Sequence, residues 1–220
     1  MARIARVILP GVPYHVAHRG NHSSEVFYSR NDRLLYLSML KKYSDRFGMR
    51  IWAYCLMPNH VHLLVIGENY ESMSRAVGVT HCQYARVINK RHEVTGHLWD
   101  NRFYSSALDE HHLWAAVRYI ELNPVRAGFV QYAHRYAWSS AQAHAQVAED
   151  QLLCPMRPFP GWVRDWPAWL DTGLSDDELL KIRKNTRRGS PTGSETFVKN
   201  LEAQLGRRLR SVRRGPKPGM

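Results

Sequence analysis

The sequence predicts an α+β fold, a ferredoxin-like, split β-α-β antiparallel sheet with extra helices and a basic helical C-terminal extension. The first observation is the order of hydrophobic patterns, because β-rich segments and segments with helical apolar spacing follow one another as β-α-β-β-α-β-α. The second is the charge of residues 181–220, which hold 12 Lys and Arg against 2 Asp and Glu. A folded core followed by a basic helical extension accounts for both observations.

Each element is predicted from its own pattern. The predicted strands are 12–19, 50–57, 60–66 and 97–107, and the predicted helices are 31–47, 71–91 and 109–123. Asn31 or Asp32 is a candidate cap for the first helix, which Gly48 suits as a stop, and Asp109 can cap the helix 109–123. Pro58 and Asn59 predict the turn between the strands 50–57 and 60–66. Pro124 predicts the end of the last helix, because the residue before proline avoids the α region.

We expect three regions along the chain. Residues 1–146 form the first domain, and residues 147–174 form a connector rich in Pro and Trp. Residues 175–220 form a basic extension with predicted helices at about 175–184 and 194–206. The short Gly-containing turn between these helices, with arginines around it, is typical of a helix-turn-helix.

Composition excludes several classes of protein. Of the 220 residues, 44% are hydrophobic, which is enough for a folded core. No apolar run approaches the ~18 residues of a membrane span, and no signal peptide is expected at the start. The three cysteines are scattered without a CxxC pair, so a thiolate zinc site is not expected. These features favour a protein of a reducing, cytosolic compartment.

The net charge of +12 resides mostly in residues 181–220. Clustered Lys and Arg are typical of nucleic-acid contact, because neutralising phosphates releases their counterions. A solvated terminus without a partner is the alternative interpretation.

His60 and His62 are the first candidate site residues. They are two positions apart on a predicted strand, so their imidazoles share one face and could bind one metal ion. His-x-His alone is a weak signal, since most such pairs are ordinary strand histidines with hydrogen-bond partners. The rest of this strand is apolar, which makes two unpaired histidines at its start costly.

Tyr119 and Asn123 are the second pair, four residues apart on one face of the predicted helix 109–123. A tyrosine can attack phosphorus to form a phosphotyrosyl intermediate, and the Asn123 amide could be a third metal ligand beside it. Two imidazoles and one amide suit Mn²⁺ better than Mg²⁺, although water and phosphate in the shell admit either. A packed tyrosine and a helix-ending asparagine are the alternative.

Four separated motifs carry a resemblance to a known family. They are Leu-Met-Pro-Asn-His-Val-His-Leu-Leu-Val at 56–65, His-Leu-Trp-Asp-Asn-Arg-Phe-Tyr-Ser at 97–105, Tyr-Ile-Glu-Leu-Asn-Pro-Val-Arg-Ala-Gly at 119–128 and Trp-Ser-Ser at 138–140. With Pro-Tyr-His-Val at 13–16 and Arg-Gly-Asn at 19–21, residues 10–140 resemble the REP-associated tyrosine transposases of the HUH single-strand endonuclease superfamily. The segment 187–197 and the basic end also resemble the extension of some members.

The resemblance implies a role for each matching residue. His60 and His62 would bind a divalent metal ion (Mg or Mn) with Asn123 as third ligand, and Tyr119 would be the single nucleophile. The family cleaves single-stranded DNA near palindromic hairpins, keeps the 5′ phosphate on tyrosine and can rejoin strands through a 3′ hydroxyl. The resemblance also implies a bacterial cytosolic protein associated with the nucleoid. It leaves open a monomer or a homodimer, with the tyrosine acting in cis or in trans.

Other residues are candidates for contacting DNA. Arg102 and Phe103 suggest phosphate contact and base stacking, or equally a core strand with a surface arginine. The remaining candidates are arginines: Arg19, Arg126, Arg187, Arg188, Arg207 and Arg208. His15 and His18 could line the sheet, but no role is assigned to them.

Three other functions remain as alternatives. A DNA-binding regulator with an inactive nuclease core would have lost catalytic positions, all of which are present here. A nicking initiator of replication or mobilisation would share the chemistry but usually carries larger additional domains. A metallophosphoesterase that activates water would need an acidic ligand or a base near the histidines, which the sequence does not offer beside them.

Overall fold

The computed structural model describes residues 8–156 and 163–209, and it contains the predicted antiparallel sheet. The first elements are β1 (Pro13–Arg19), α1 (Arg30–Phe47), β2 (Met49–Met57), β3 (His60–Gly67), α2 (Ser72–Arg91), β4 (Tyr104–Ala107) and α3 (Glu110–Glu121). Their order in the sheet is β2-β3-β1-β4, with every neighbouring pair antiparallel. The split β-α-β prediction is therefore confirmed.

Helices lie on both faces of this sheet. α1 and α2 cover one face, where a large aromatic and aliphatic core includes Tyr36, Leu63 and Tyr84. α3 packs against β2 and β3 on the other face, where Cys55, Leu64 and Val117 belong to a second core. Side chains of a strand alternate between faces, so every second residue of β1 and β3 projects toward the face that α3 covers. No helix within the described residues is long and apolar enough to cross a membrane.

The predicted end of α1 and the predicted cap of α3 are confirmed, whereas the predicted cap of α1 is wrong. Gly48 ends α1 with a left-handed φ of 63°, and the Asp109 side chain caps α3 by accepting from the His112 amide. The cap of α1 is Ser29, whose hydroxyl accepts from the backbone N–H of Asp32. Asp32 instead points inward and accepts from the Tyr28 amide, so neither Asn31 nor Asp32 is the cap.

The predicted strand 97–107 is too long, because β4 covers only Tyr104–Ala107. Asn101 adopts a left-handed φ of 45°, which an extended strand does not tolerate. The chain before it forms a loop in which Trp99 makes one isolated bridge to Gly20. The apolar residues that suggested a strand, Leu98, Trp99 and Phe103, pack against the α1 and α2 core from this loop.

α3 is followed directly by a short helix, α4 (Asn123–Arg126), which has Pro124 in its first turn. Pro124 therefore begins a new turn after α3 ends, in agreement with the predicted stop near this residue. Farther along, the Trp138 carbonyl accepts from the Leu56 amide and the Ser140 amide donates to the Tyr54 carbonyl. The segment 138–140 is thus paired with the edge of β2.

The connector and the extension both contact the core. α5 (Ala141–His144) lies just before the predicted connector, and α6 (Trp166–Asp171) lies within it. Residues 157–162 lie outside the described residues. The extension contains α7 (Asp176–Arg188) and α8 (Glu195–Leu205). α7 runs four residues beyond its predicted end, so Arg187 and Arg188 lie in its last turn and not between helices. It packs against β4, β1 and α3, and residues 210–220 of the predicted extension lie outside the described residues.

Candidate active site

His60 and His62 lie at the start of β3 on the sheet face that α3 covers. Antiparallel pairing places Arg19 of β1 opposite His60 and Ala17 opposite His62. The two imidazole rings meet edge to face with centroids 5.0 Å apart. The predicted shared face is therefore observed, and the strand register brings β1 beside the histidine pair.

A cavity of about 420 Å³ opens above this part of the sheet. All four residues expected from the His-x-His and tyrosine-helix patterns line it. The lining residues are His15, Ala17, His18, Arg19, His60, His62, Asp100, Tyr104, Tyr119, Asn123, Arg183, Thr186 and Arg187. The cavity thus joins β1, β3, β4, α3, the first residue of α4, and α7 of the extension.

The proton position on His60 is set by its neighbour Asn59. The Asn59 amide nitrogen donates to the Ser23 carbonyl, which fixes the orientation of the amide. The Asn59 side-chain oxygen lies 2.6 Å from His60 Nδ1 and can only accept. His60 therefore carries its hydrogen on Nδ1 and has its lone pair on Nε2, the arrangement that a metal ligand needs.

His62 forms a hydrogen bond with a second histidine, His15. Its Nδ1 lies 2.9 Å from Nε2 of His15, and Nδ1 of His15 lies 2.8 Å from the Thr186 hydroxyl. All three side chains are buried, with His15 only 1% exposed. A continuous hydrogen-bonded chain therefore connects the extension helix α7 to His62 through β1.

The histidines of this cluster are neutral. Burial lowers the pKa of His15 to about 3, and burial together with the charge of Arg19 lowers the pKa of His60 to about 4. Burial, followed by the charges of His60 and His15, lowers the pKa of His62 well below its usual value. Neutral imidazoles keep the lone pair that binds a metal ion.

Tyr119 reaches the cavity from the last turn of α3. Its ring lies edge-on to His62 and to His15, with centroid distances of 5.3 and 5.4 Å. The Arg126 guanidinium lies 4.7 Å from the ring centroid and donates to the Tyr119 carbonyl, and Arg183 of α7 lies 5.9 Å away. A buried phenol thus stands beside the histidine pair with two cations around it.

Asn123 lines the same cavity, as its spacing from Tyr119 predicts. Its buried side-chain nitrogen has no hydrogen-bond partner among the residues that the structure describes. Within residues 8–156 and 163–209, no three His, Cys, Asp or Glu side chains are grouped to hold a metal ion. A metal site here would therefore consist of two imidazoles and an amide oxygen, completed by water or phosphate.

The residues predicted to contact DNA fall at separate places. Arg19 and Arg187 line the cavity described above, and Arg126 borders Tyr119. Arg102 and Phe103 line a second cavity of about 470 Å³ between α2 and the loop before β4. Phe103 is only 6% exposed and packs edge-on against His18 and His81. The other three lie in the extension away from both cavities: Arg188, Arg207 and Arg208.

Sequence reasoning missed several residues of the site, including Arg183 beside the Tyr119 ring. His15 and Thr186 form the chain to His62, Asn59 orients His60, and Asp100 supplies a carboxylate to the cavity wall. The sequence did contain one signal for His15, because residues 15, 17 and 19 share a face in a strand. No local pattern connects Thr186 or Asp100 to the histidines, since both arrive through tertiary packing.

Comparisons with known proteins identify the family of this chain. Residues 9–123, just over half of the chain, match the family model described as "Transposase IS200 like", and the chain belongs to that family. A Haemophilus influenzae (strain ATCC 51907 / DSM 11121 / KW20 / Rd) protein assigned to the REP-associated tyrosine transposases is 25% identical over 115 residues, which are 47% of this chain. The chain spans 65% of the length of this curated relative.

A solved structure of a REP-associated tyrosine transposase bound to a REP hairpin has the same fold. Its TM-score is 0.56, with 16% identity, and the match covers 70% of this chain and 98% of that chain. The resemblance to the REP-associated tyrosine transposases is thereby confirmed at the level of family and fold.

Proposed function

We propose that this protein is a metal-dependent single-strand DNA endonuclease and strand transferase, a transposase that acts on palindromic hairpin DNA. The observation that carries the proposal is the meeting of Tyr119, His60, His62 and Asn123 around one cavity of a single chain. The transposase family of residues 9–123 supports this class of activity. A buried phenol, two neutral imidazoles, an amide and several cations at one place support the proposed roles of nucleophile, metal ligands and phosphate-binding groups.

His60, His62 and Asn123 would hold a divalent ion, Mg²⁺ or Mn²⁺. The Asn123 amide, whose nitrogen has no partner among the described residues, and the two neutral imidazoles fit such an ion. When bound, the ion would polarise the phosphoryl oxygen and stabilise its developing charge. Because all three protein ligands are neutral, they would leave the double charge of the ion for the phosphate.

Tyr119 is the proposed nucleophile. Its phenol oxygen attacks the phosphorus of one DNA linkage as the phenol proton is lost, and the bond from phosphorus to the 3′ oxygen breaks. The 3′ oxygen leaves, gains a proton and becomes a free 3′ hydroxyl, while the 5′ phosphate stays on Tyr119. Attack by a second 3′ hydroxyl reverses the step and joins strands without ATP.

Arginines around Tyr119 would bind the phosphates next to the scissile bond. Arg126 and Arg183 flank the Tyr119 ring, and Arg19 and Arg187 line the cavity wall. Arginine presents several donors in a planar fork that suits phosphate oxygens. These side chains therefore favour an extended, negatively charged strand lying across the sheet face.

The second cavity offers a continuation of this strand path. His18 lines both cavities, and the second one adds Arg86 and Arg102 to an aromatic floor of Trp99 and Phe103. Single-stranded nucleic acid binds where cations and stacking surfaces alternate. The buried position of Phe103 favours a role in packing this floor over direct stacking on a base.

A hairpin substrate is proposed from the relative of the same fold that was solved with a REP hairpin. The basic extension, with Arg188, Arg207 and Arg208, would add phosphate contacts outside the cavity. The alternative of a regulator with an inactive core is disfavoured because all four catalytic positions are present and gathered. Asp100 is the acidic residue that a water-activating phosphoesterase would need in this cavity. Within the described residues it is not grouped with both histidines for metal binding, which disfavours that alternative.

The test is incubation with single-stranded hairpin DNA and Mn²⁺ or Mg²⁺, followed by denaturing gels. The wild-type protein is expected to form a covalent protein–DNA band, which Tyr119→Phe eliminates and His60→Ala reduces by at least about 100-fold. Tyr132→Phe and His111→Ala, exposed residues away from the cavity, serve as controls and should retain the band. A full band with Tyr119→Phe, or unchanged cleavage with His60→Ala, would refute the proposal.

A further inference from the structure

We propose that Thr186, acting through His15, sets the proton position on His62 so that the lone pair of His62 is on Nε2. Thr186 lies in α7, outside the segment 9–123 that matches the family model. This inference deepens the proposed function, and its consequence for metal binding rests on that function. Thr186 and His15 would be positioning residues, because they act on a ligand and not on DNA.

The hydrogen-bonded chain allows two arrangements. In the first, His62 Nδ1–H donates to His15 Nε2, and His15 Nδ1–H donates to the Thr186 hydroxyl oxygen. In the second, the Thr186 hydroxyl donates to His15 Nδ1, and His15 Nε2–H donates to His62 Nδ1. Only the first arrangement leaves a lone pair on His62 Nε2, because the second places a hydrogen there.

The neighbouring histidine indicates which arrangement the site uses. His60 has its hydrogen on Nδ1 because the Asn59 oxygen can only accept. The first arrangement gives His62 the same form, so both histidines would present Nε2 lone pairs to one ion. A carboxylate or carbonyl usually performs this orienting role behind a metal-bound histidine, and here a histidine and a threonine would replace it.

The position of Thr186 depends on how the extension docks. The Thr192 amide donates to the Ala107 carbonyl at 2.7 Å, and the Thr192 and Ser106 hydroxyls are 2.8 Å apart. The Asp109 side chain, which caps α3, also accepts from the Ser194 amide. These bonds hold the end of α7 against β4, so a docked extension delivers the hydroxyl to His15.

Thr186→Val tests the hydroxyl with little change of shape. Without the oxygen, the first arrangement leaves a buried N–H of His15 without an acceptor, whereas the second leaves only a lone pair without a donor. Buried N–H groups without partners are the rarer and costlier case. The variant should therefore shift the hydrogen onto His62 Nε2, where it blocks metal binding.

Two measurements on the full-length protein read out the proposal. Long-range ¹H–¹⁵N spectra of ¹⁵N-histidine-labelled, metal-free protein report which ring nitrogen of each histidine carries hydrogen, and Mn²⁺ electron paramagnetic resonance reports affinity. Wild-type protein and Thr186→Ser should carry hydrogen on Nδ1 of His15 and His62. Thr186→Val should move it and weaken Mn²⁺ binding by about 10- to 100-fold. Thr196→Val, which removes an exposed hydroxyl of α8 in the same extension, away from His15 and from β4, should match the wild type.

The outcomes separate this inference from the proposed function. Hydrogen on His62 Nε2 in the wild-type protein would overturn the inference even if Thr186→Val did not fold. Unchanged histidine spectra and Mn²⁺ affinity in a folded Thr186→Val would also overturn it. Absence of Mn²⁺ binding in the wild type, with a shifted tautomer in Thr186→Val, would refute the metal site while supporting the action of Thr186.

Discussion

At the scale of single residues, the predictable part of the site is the part that follows from spacing within one element. His60 and His62 share a face because strand side chains alternate, and Tyr119 and Asn123 line one cavity because they lie about one turn apart across the junction of α3 and α4. Asn59, His15 and Thr186 could not be found in this way. Their roles depend on a side-chain rotamer, a strand register and the docking of a distant helix.

Glu121, in the motif 119–128, is a further residue whose role depends on tertiary packing and not on local spacing. It lies between Tyr119 and Asn123 in sequence but points away from the cavity into the second core, where it is fully buried. Its carboxylate accepts hydrogen bonds from the side chains of Ser140, His144 and Trp166. One short motif therefore supplies the proposed nucleophile on one side, and on the other side anchors residues 140–144 and Trp166 of the connector.

Glu121→Ala should destabilise the protein by about 3 kcal/mol or more, because it leaves buried donors without their acceptor. Urea unfolding of the purified variant measures this loss. Glu110→Ala, at an exposed position in the first turn of the same helix, should change stability by less than about 1 kcal/mol. Equal effects of the two substitutions would contradict the anchoring role of Glu121.

At the scale of elements, the order of strands and helices was predicted correctly because each long element has a clear apolar period. The error at 97–103 arose where apolar residues pack from a loop, a situation in which burial imitates a strand pattern. The extension was expected as a separate basic unit from residue 175. Its helix α7 instead packs on β4 and supplies Arg183, Thr186 and Arg187 to the cavity wall, a contact that charge counting does not reveal.

The contributions of the extension to DNA affinity and to the cleavage rate should therefore be separable by truncation after residue 209. Deleting residues 210–220 removes three Arg and one Lys without any acidic residue. Affinity for hairpin DNA should fall and its dependence on salt should become shallower, while the cleavage rate at saturating DNA stays the same. Fluorescence anisotropy at several salt concentrations and single-turnover cleavage measure the two quantities.

A full-length variant with these four basic residues changed to Gln is the matched control, and it should reproduce the loss of affinity. A slower cleavage step at saturating DNA in either protein would contradict the separation. Deletion from residue 181 is a different experiment, because it also removes Thr186 from the active-site cavity.

At the scale of the whole molecule, one chain contains a complete set of proposed catalytic groups. The Tyr119 ring lies 5.3 Å from the ring of His62 in the same chain, and we therefore predict that each chain cleaves with its own tyrosine. The sequence left this question open, since spacing along the chain is the same in both cases.

Mixing Tyr119→Phe with His60→Ala tests the arrangement in cis. Neither inactive chain could complete the other if each site is built from one chain, so the mixture should form no covalent protein–DNA band. Co-expression of the two variants before purification controls for slow subunit exchange. Recovery of the band in the mixture would show that sites are shared between chains.

The central claim is that Tyr119 carries the DNA, and mass spectrometry of the covalent adduct tests it most directly. The adduct formed on hairpin DNA is digested with nuclease and trypsin, and the peptide that retains the residual 5′ nucleotide is sequenced. We predict that the nucleotide is attached to the tyrosine of the peptide 119–126. Attachment to another residue, such as Tyr104 in the same cavity, would contradict the account.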